Sequence, residues 1–192
     1  RHDDIHLVAL PLFHIYGMTT SMNAPVYSAS TMILVPKFDP TQLLATIAIY
    51  KPTVFCGVPT MYTALVNHPE IQRHNLRSIR VCISGAAPLP GEIQRKFEQI
   101  TGGRLVEGYG LSETSPVTHV NPLDDPRKNR IGSIGIPIFD TEAKIVSLET
   151  EDRELETEEI GELVINGPQV MIGYWKNPEE TRNSLRLSLI HI

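Results

Sequence analysis

Across the first 110 residues, short apolar runs alternate with helix-like stretches, and proline marks most of the changes between them. This alternation is what most restricts the fold. Residues 5–10 are apolar and are stopped by Pro11, which predicts a strand, and residues 31–35 predict a second. Asp39-Pro40 has the form of a helix start, with Asp as N-cap and Pro at the first helical position. Leu43, Leu44, Ile47 and Ala48 follow at helical spacing, Pro52 ends the helix, and residues 53–58 predict the next strand. Pro59 opens a helix carrying Met61, Leu65 and Val66. Residues 80–84 then predict a buried strand. Residues 90–101 form an amphipathic helix with Ile93, Phe97 and Ile100 on one face; Gly102-Gly103 closes it, and residues 104–106 begin another strand. The order predicts an α/β fold with a mainly parallel sheet covered by helices.

From about Pro122 the pattern changes. Gly132, Gly135, Pro137 and Gly161 punctuate short strands at 143–148 and 162–165, so a β-rich part is expected to follow the α/β part, with a boundary near 125–130. Seven acids and one Arg fall between Glu149 and Glu159, which predicts a solvated hairpin loop. That segment has a net charge of −6 against −5 for the whole chain, so the remainder sums to +1. No basic excess exists to neutralise a nucleic-acid backbone, and general nucleic-acid binding is disfavoured. At 41% hydrophobic and 20% charged residues, the chain can bury a core. No apolar run approaches the ~20 residues needed to span a bilayer. Cys56 and Cys82 each lie in an apolar, strand-like stretch without a Cys or His companion at ligand spacing, so both are expected to be buried, reduced thiols.

Three segments could carry chemistry. Ser84-Gly85-Ala86-Ala87-Pro88 follows a buried strand, where open α/β sheets bind ligands. Its small residues would let a flat ring lie against bare backbone, although a tight strand-to-helix turn would use the same residues. Glu107-Gly108-Tyr109-Gly110-Leu111-Ser112-Glu113-Thr114 follows the next strand and should lie at the same sheet edge. There Tyr109 could stack on a base, Ser112 and Thr114 could meet phosphate oxygens, and Glu113 is the hard oxygen ligand that Mg²⁺ uses beside substrate phosphates. A Gly-rich turn with a capping Ser and a first-turn Glu explains the same letters. His14, after the first strand, could bond a substrate carboxylate or gate a pocket, or could simply be packed beside its aromatic neighbours. No G-x-x-x-x-G-K-[ST], G-x-S-x-G or G-x-G-x-x-G pattern occurs, so a phosphate loop, a nucleophile elbow and a Rossmann dehydrogenase are not indicated.

Taken in order, LPLFHIYGMT, CISGAAPLP, GGRLVEGYGLSETSPVTHVNP, GSIGIP and GELVINGPQVMIGYWKNPEET are far more specific than any one of them. Together they resemble the adenylate-forming superfamily of acyl-CoA synthetases, luciferases and 4-coumarate–CoA ligases, and most of all the bacterial long-chain fatty-acid–CoA ligases. The resemblance covers residues 3–186. It implies that residues 1–128 are the α/β part of an AMP-binding domain and 129–186 a β-rich part of the same domain; residues 187–192 are a tail that does not match. It also implies an ATP-dependent ligase that forms an acyl-adenylate and then a coenzyme A thioester. By resemblance, Glu113 would hold Mg²⁺, Ser112 would contact phosphate, and Tyr109 would stack on adenine against Gly85, Ala86 and Ala87. His14 would lie at the acyl-adenylate site, and Gly108 and Gly110 would line the acyl tunnel or admit the nucleotide. Small-molecule partners (fatty acid, ATP, CoA), a cytoplasmic location and at most peripheral membrane contact are expected.

The chain opens on Arg1 and departs from the family pattern after NPEET, so an internal fragment is expected. The family's phosphate loop, ribose-binding Asp and catalytic Lys have no counterpart in it, and the isolated piece is expected to be inactive. Two alternatives stand beside this reading. One is an aryl, short-chain or amino-acid adenylating enzyme; the other is a non-catalytic binding module of the same fold.

Overall fold

Five short parallel strands form the centre of the computed structural model, which describes residues 1–150, 153–186 and 189–191. They are β1 (Ile5–Val8), β2 (Thr31–Leu34), β3 (Val54–Gly57), β4 (Val81–Ser84) and β5 (Arg104–Gly110). β6 (Val117–Val120) and β7 (Ile136–Pro137) extend the sheet antiparallel, giving the order β2-β1-β3-β4-β5-β6-β7. The order reverses between β1 and β3, and crevices at the carboxyl ends of strands near such a reversal are where open α/β sheets take ligands.

The helices are α1 (Ile15–Gly17), α2 (Ala24–Tyr27), α3 (Pro40–Tyr50), α4 (Pro59–Val66), α5 (Gly91–Thr101) and α6 (Pro178–Ser184). A π-helical turn at Met18–Asn23 joins α1 to α2. Local chemistry sets the helix ends. The Asp39 carboxylate accepts the Gln42 N–H at 2.8 Å with Pro40 at the first helical position, and α5 ends on Gly102 at φ +72°. Phe97 of α5 is fully buried, and Ile93 and Ile100 pack against the same core. Phe55, Tyr62 and Phe97 pack in sequence, tilted and then edge-to-face, with ring centroids 5.2 and 5.1 Å apart, which ties β3 to α4 and α5.

β8 (Glu142–Val146), β9 (Glu162–Asn166), β10 (Leu185–Arg186) and β11 (Leu189–His191) form a second, antiparallel sheet in the order β10-β11-β9-β8. The acidic stretch connects β8 to β9, which are hydrogen-bonded along their full length; residues 151 and 152 of it lie outside the described residues. β7 still pairs on the first sheet, so the change of sheet falls between Pro137 and Glu142. Within residues 187–192, Leu189–His191 is a strand paired on β9; residues 187, 188 and 192 lie outside the described residues. No helix among the described residues is long and apolar enough to cross a membrane.

Cys56 and Cys82 are both buried and free. Burial pushes the Cys56 thiol up to about 11 and raises that of Cys82 as well, so neither is a thiolate at neutral pH. At the amino ends of the parallel strands, Thr53 Oγ1 and Arg80 donate to Asp4 Oδ1, each at 2.7 Å. Burial acts to raise the Asp4 carboxyl, but these hydrogen bonds prevail and hold it well below the usual carboxylate range. A depressed folded-state value contributes stability above pH 3.8, the ordinary value, and loses it as pH falls below that point. Asp4→Asn is therefore expected to flatten the acid limb of stability. Urea midpoints at pH 5 and pH 3 check this, and an unchanged acid limb would remove Asp4 as its cause.

Candidate active site

Three segments meet at the carboxyl edge of the parallel sheet and enclose a cavity of about 240 Å³. The turn after β1 brings His14, Ile15 and Tyr16. The end of β4 and the turn after it bring Ile83, Gly85 and Ala86. β5 and the loop after it bring Gly108, Tyr109, Gly110, Leu111 and Ser112, faced by Pro116 and Val117. Seven of the residues singled out from the sequence thus line this cavity: His14, Gly85, Ala86, Gly108, Tyr109, Gly110 and Ser112. Ala87 and Glu113 do not line the cavity.

His14 is exposed at the lip rather than packed. Its Nδ1 accepts the Tyr16 N–H at 3.2 Å and so caps α1. An accepting Nδ1 leaves Nε2 as the protonated nitrogen of the neutral ring, a donor suited to a carboxylate or phosphate oxygen. Tyr16 forms the floor. Its hydroxyl donates to the Ile83 carbonyl at 2.8 Å, and a Cβ on Gly85 would stand 3.2 Å from its ring. Gly85 therefore lets the β4 turn lie directly on the Tyr16 ring. The next residue, Ala86, holds φ +68°, a conformation that costs a non-glycine residue about 1–2 kcal/mol. Strain of this kind clusters at ligand sites.

The Gly-rich segment is not the turn that its glycines suggest. β5 continues through Gly110, because β6 pairs Gly108 with Val120, Tyr109 with His119 and, past a register shift, Gly110 with Val117. Tyr109 is half-buried in this ladder, and its ring stands edge-on to His119 with centroids 6.2 Å apart. Burial lowers the His119 imidazole from its ordinary value, which favours the neutral ring beside Tyr109. After β5, Ser112–Thr114 makes one 3₁₀ turn. Its cap is Thr114, whose Oγ1 accepts the Leu111 N–H at 3.0 Å. That leaves the exposed Ser112 at the cavity rim without the capping role.

Glu113 lies beside the rim and is partly buried. Its Oε1 accepts the Tyr174 hydroxyl at 2.7 Å, and its backbone carbonyl accepts the Met171 N–H at 2.8 Å. The hydrogen bond to Glu113, added to burial, raises the Tyr174 phenol above its ordinary value. No local sequence pattern marks this contact, which spans 61 residues. Tyr16 was not singled out from the sequence, although it stands inside a quoted motif. No group of three or more His, Cys, Asp or Glu side chains able to hold a metal exists among the described residues, so there is no all-protein metal cage. A single carboxylate with one oxygen still open, next to an exposed hydroxyl, fits a cation that takes most of its ligands from water and substrate phosphates, as Mg²⁺ does.

The same organisation recurs in known proteins. The family model "AMP-binding enzyme" matches residues 1–175. A long-chain-fatty-acid–CoA ligase of Bacillus subtilis is 52% identical over 177 residues, covering 92% of this chain and 31% of that protein. The ATP-bound structure of MatB from Rhodopseudomonas palustris superposes with a TM-score of 0.87 at 33% identity, over 99% of this chain and 37% of its own. A benzoate CoA ligase from Burkholderia xenovorans superposes at 0.90 with 27% identity, over 100% of this chain and 38% of its own. This chain thus spans about a third of the length of such relatives. A family match over most of the residues, on a fold whose sheet edge gathers the same motifs into one cavity, makes this chain a member of the AMP-binding enzyme family.

Proposed function

We propose that the chain is the central part of the catalytic domain of an ATP-dependent fatty-acid–CoA ligase. The observation that carries this reading is the single cavity lined by His14, Gly85, Ala86, Tyr109 and Ser112, in a chain 52% identical over 177 residues to a long-chain-fatty-acid–CoA ligase. In the proposed reaction a fatty-acid carboxylate attacks the α-phosphate of ATP, forming acyl-adenylate and releasing pyrophosphate. The thiol of coenzyme A then displaces AMP to give the thioester. Both steps develop charge on phosphate and acyl oxygens, so positioned donors matter more than a covalent protein nucleophile.

The residues divide the work. Tyr109 offers its ring to adenine, with the bare backbone of Gly85 and Ala86 completing that face. Ser112 at the rim donates its hydroxyl to a phosphate oxygen. His14, with its proton on Nε2, donates to the acyl-adenylate. Tyr16 closes the floor and excludes water. Mg²⁺ bound at Glu113 would supply charge neutralisation on the phosphates. A cytoplasmic location with at most peripheral membrane contact is part of the same proposal.

The cavity of about 240 Å³ lies below the ~300–1,000 Å³ usual for ligand sites, so the remaining walls would come from segments that the longer relatives possess. An aryl-acid ligase is a second reading, favoured by the fold agreement with the benzoate CoA ligase. The test is ATP- and CoA-dependent thioester formation by the full-length enzyme across fatty, aryl and amino acids. Turnover with long-chain fatty acids is expected. Turnover confined to aryl or amino acids would replace the substrate, and none with any acid would overturn the ligase reading.

A further inference from the structure

Segment 167–181 reaches from the second sheet back to the loop that carries Glu113. Its geometry is fixed at several points. The Gln169 amide donates to Thr141 Oγ1 at 2.7 Å, and the Met171 N–H donates to the Glu113 carbonyl at 2.8 Å. The Tyr174 N–H donates to Thr181 Oγ1 at 2.9 Å, and Thr181 Oγ1 donates to the Asn177 carbonyl at 2.8 Å. Gly173 sits at φ +147°, and a Cβ there would stand 2.7 Å from Thr181 Cγ2, so the chain passes hard against α6. Tyr174 is thereby presented from a held backbone, and its hydroxyl reaches Glu113 Oε1 at 2.7 Å.

We propose that Tyr174 is a positioning residue for the cation site, orienting the Glu113 carboxylate by occupying Oε1 so that Oε2 remains for the metal. This rests on the assignment of Glu113 to Mg²⁺. A glutamate on a short 3₁₀ turn has three side-chain torsions, and freezing them on metal binding costs entropy. A phenol that already holds one oxygen removes most of that cost beforehand. Partners of this kind, standing behind a metal ligand, typically change metal affinity 10- to 100-fold. The bond also ties the second sheet to the cavity rim, so a purely structural role for Tyr174 must be distinguished from a positioning one.

The test uses the full-length enzyme and Tyr174→Phe, which keeps the ring and removes the hydroxyl. One readout is free of turnover: the Mg²⁺ concentration that half-saturates the ATP-induced rise in Tm, measured without acid substrate. That concentration is expected to rise about 10- to 100-fold, with kcat at saturating Mg²⁺ held within about threefold of the parent. An unchanged Mg²⁺ requirement in Tyr174→Phe, beside a raised one in Glu113→Gln, would overturn the positioning role alone. An unchanged requirement in Glu113→Gln would remove the metal assignment on which it rests. The pair of variants also separates packing from positioning. In a Glu113→Gln background, Tyr174→Phe should add no further change in Mg²⁺ requirement, and a full additional change would assign Tyr174 to packing only.

Discussion

Glu113→Ala in the full-length enzyme is expected to lower kcat/KM for acyl-CoA formation by about 10²- to 10³-fold, the loss typical of removing one charge-stabilising group from an active site. Among the described residues no cluster of three or more His, Cys, Asp or Glu side chains could hold the metal in its stead. The carboxylate is also engaged on one side by Tyr174 at 2.7 Å, so its remaining oxygen has a defined direction. Glu113→Asp keeps the charge but withdraws the carboxylate by one methylene, out of reach of that hydroxyl. It should fall between the parent and the alanine variant, and added Mg²⁺ should recover part of its deficit. Steady-state kinetics over a Mg²⁺ series measures both. Retention of kcat/KM within about threefold in Glu113→Ala would show that phosphate charge is met elsewhere.

Much of this site was legible before the fold. Asp39-Pro40, Pro59 and Gly102-Gly103 punctuate the helices through chemistry that is local in sequence, and α3 and α4 begin, and α5 ends, where those residues require. The turns after β1, β4 and β5 share one edge because parallel strands all deliver their carboxyl ends to the same side; strand order already puts the 84–88 and 107–114 segments together there, and the structure adds His14. What was not legible depends on distant partners. β5 runs through two glycines because β6, several residues later, supplies the antiparallel ladder that holds them extended. Tyr174 meets Glu113 across 61 positions, and no local pattern announces such a contact. β11 pairs on β9 because an edge strand with unpaired N–H and C=O groups accepts an extended apolar segment of suitable length.

Gly110→Ala is expected to cost about 3 kcal/mol or more of stability, the upper end of what overpacking a filled interior does. A Cβ at Gly110 would stand 1.7 Å from the Pro116 carbonyl oxygen, 2.5 Å from its carbon and 2.9 Å from Val117 Cα, and all three are backbone atoms. That carbonyl cannot step aside cheaply. It accepts the Leu111 N–H at 2.9 Å and the Thr114 hydroxyl at 2.6 Å, and Thr114 is fully buried. Relief therefore requires moving the 111–116 loop as a body, and with it Ser112 and Glu113. The substitution should lower the denaturant midpoint and the activity together. Gly132→Ala is the matched control. It has φ +81° with nothing within 4 Å of a Cβ, so it should cost only the backbone strain of about 1–2 kcal/mol. Equal losses in the two variants would refute steric locking at Gly110, whose backbone lies outside the left-handed region that makes Gly132→Ala costly. A large loss confined to Gly110 would mean that this glycine is demanded by the chain's own hairpin, whatever ligand later lies against it.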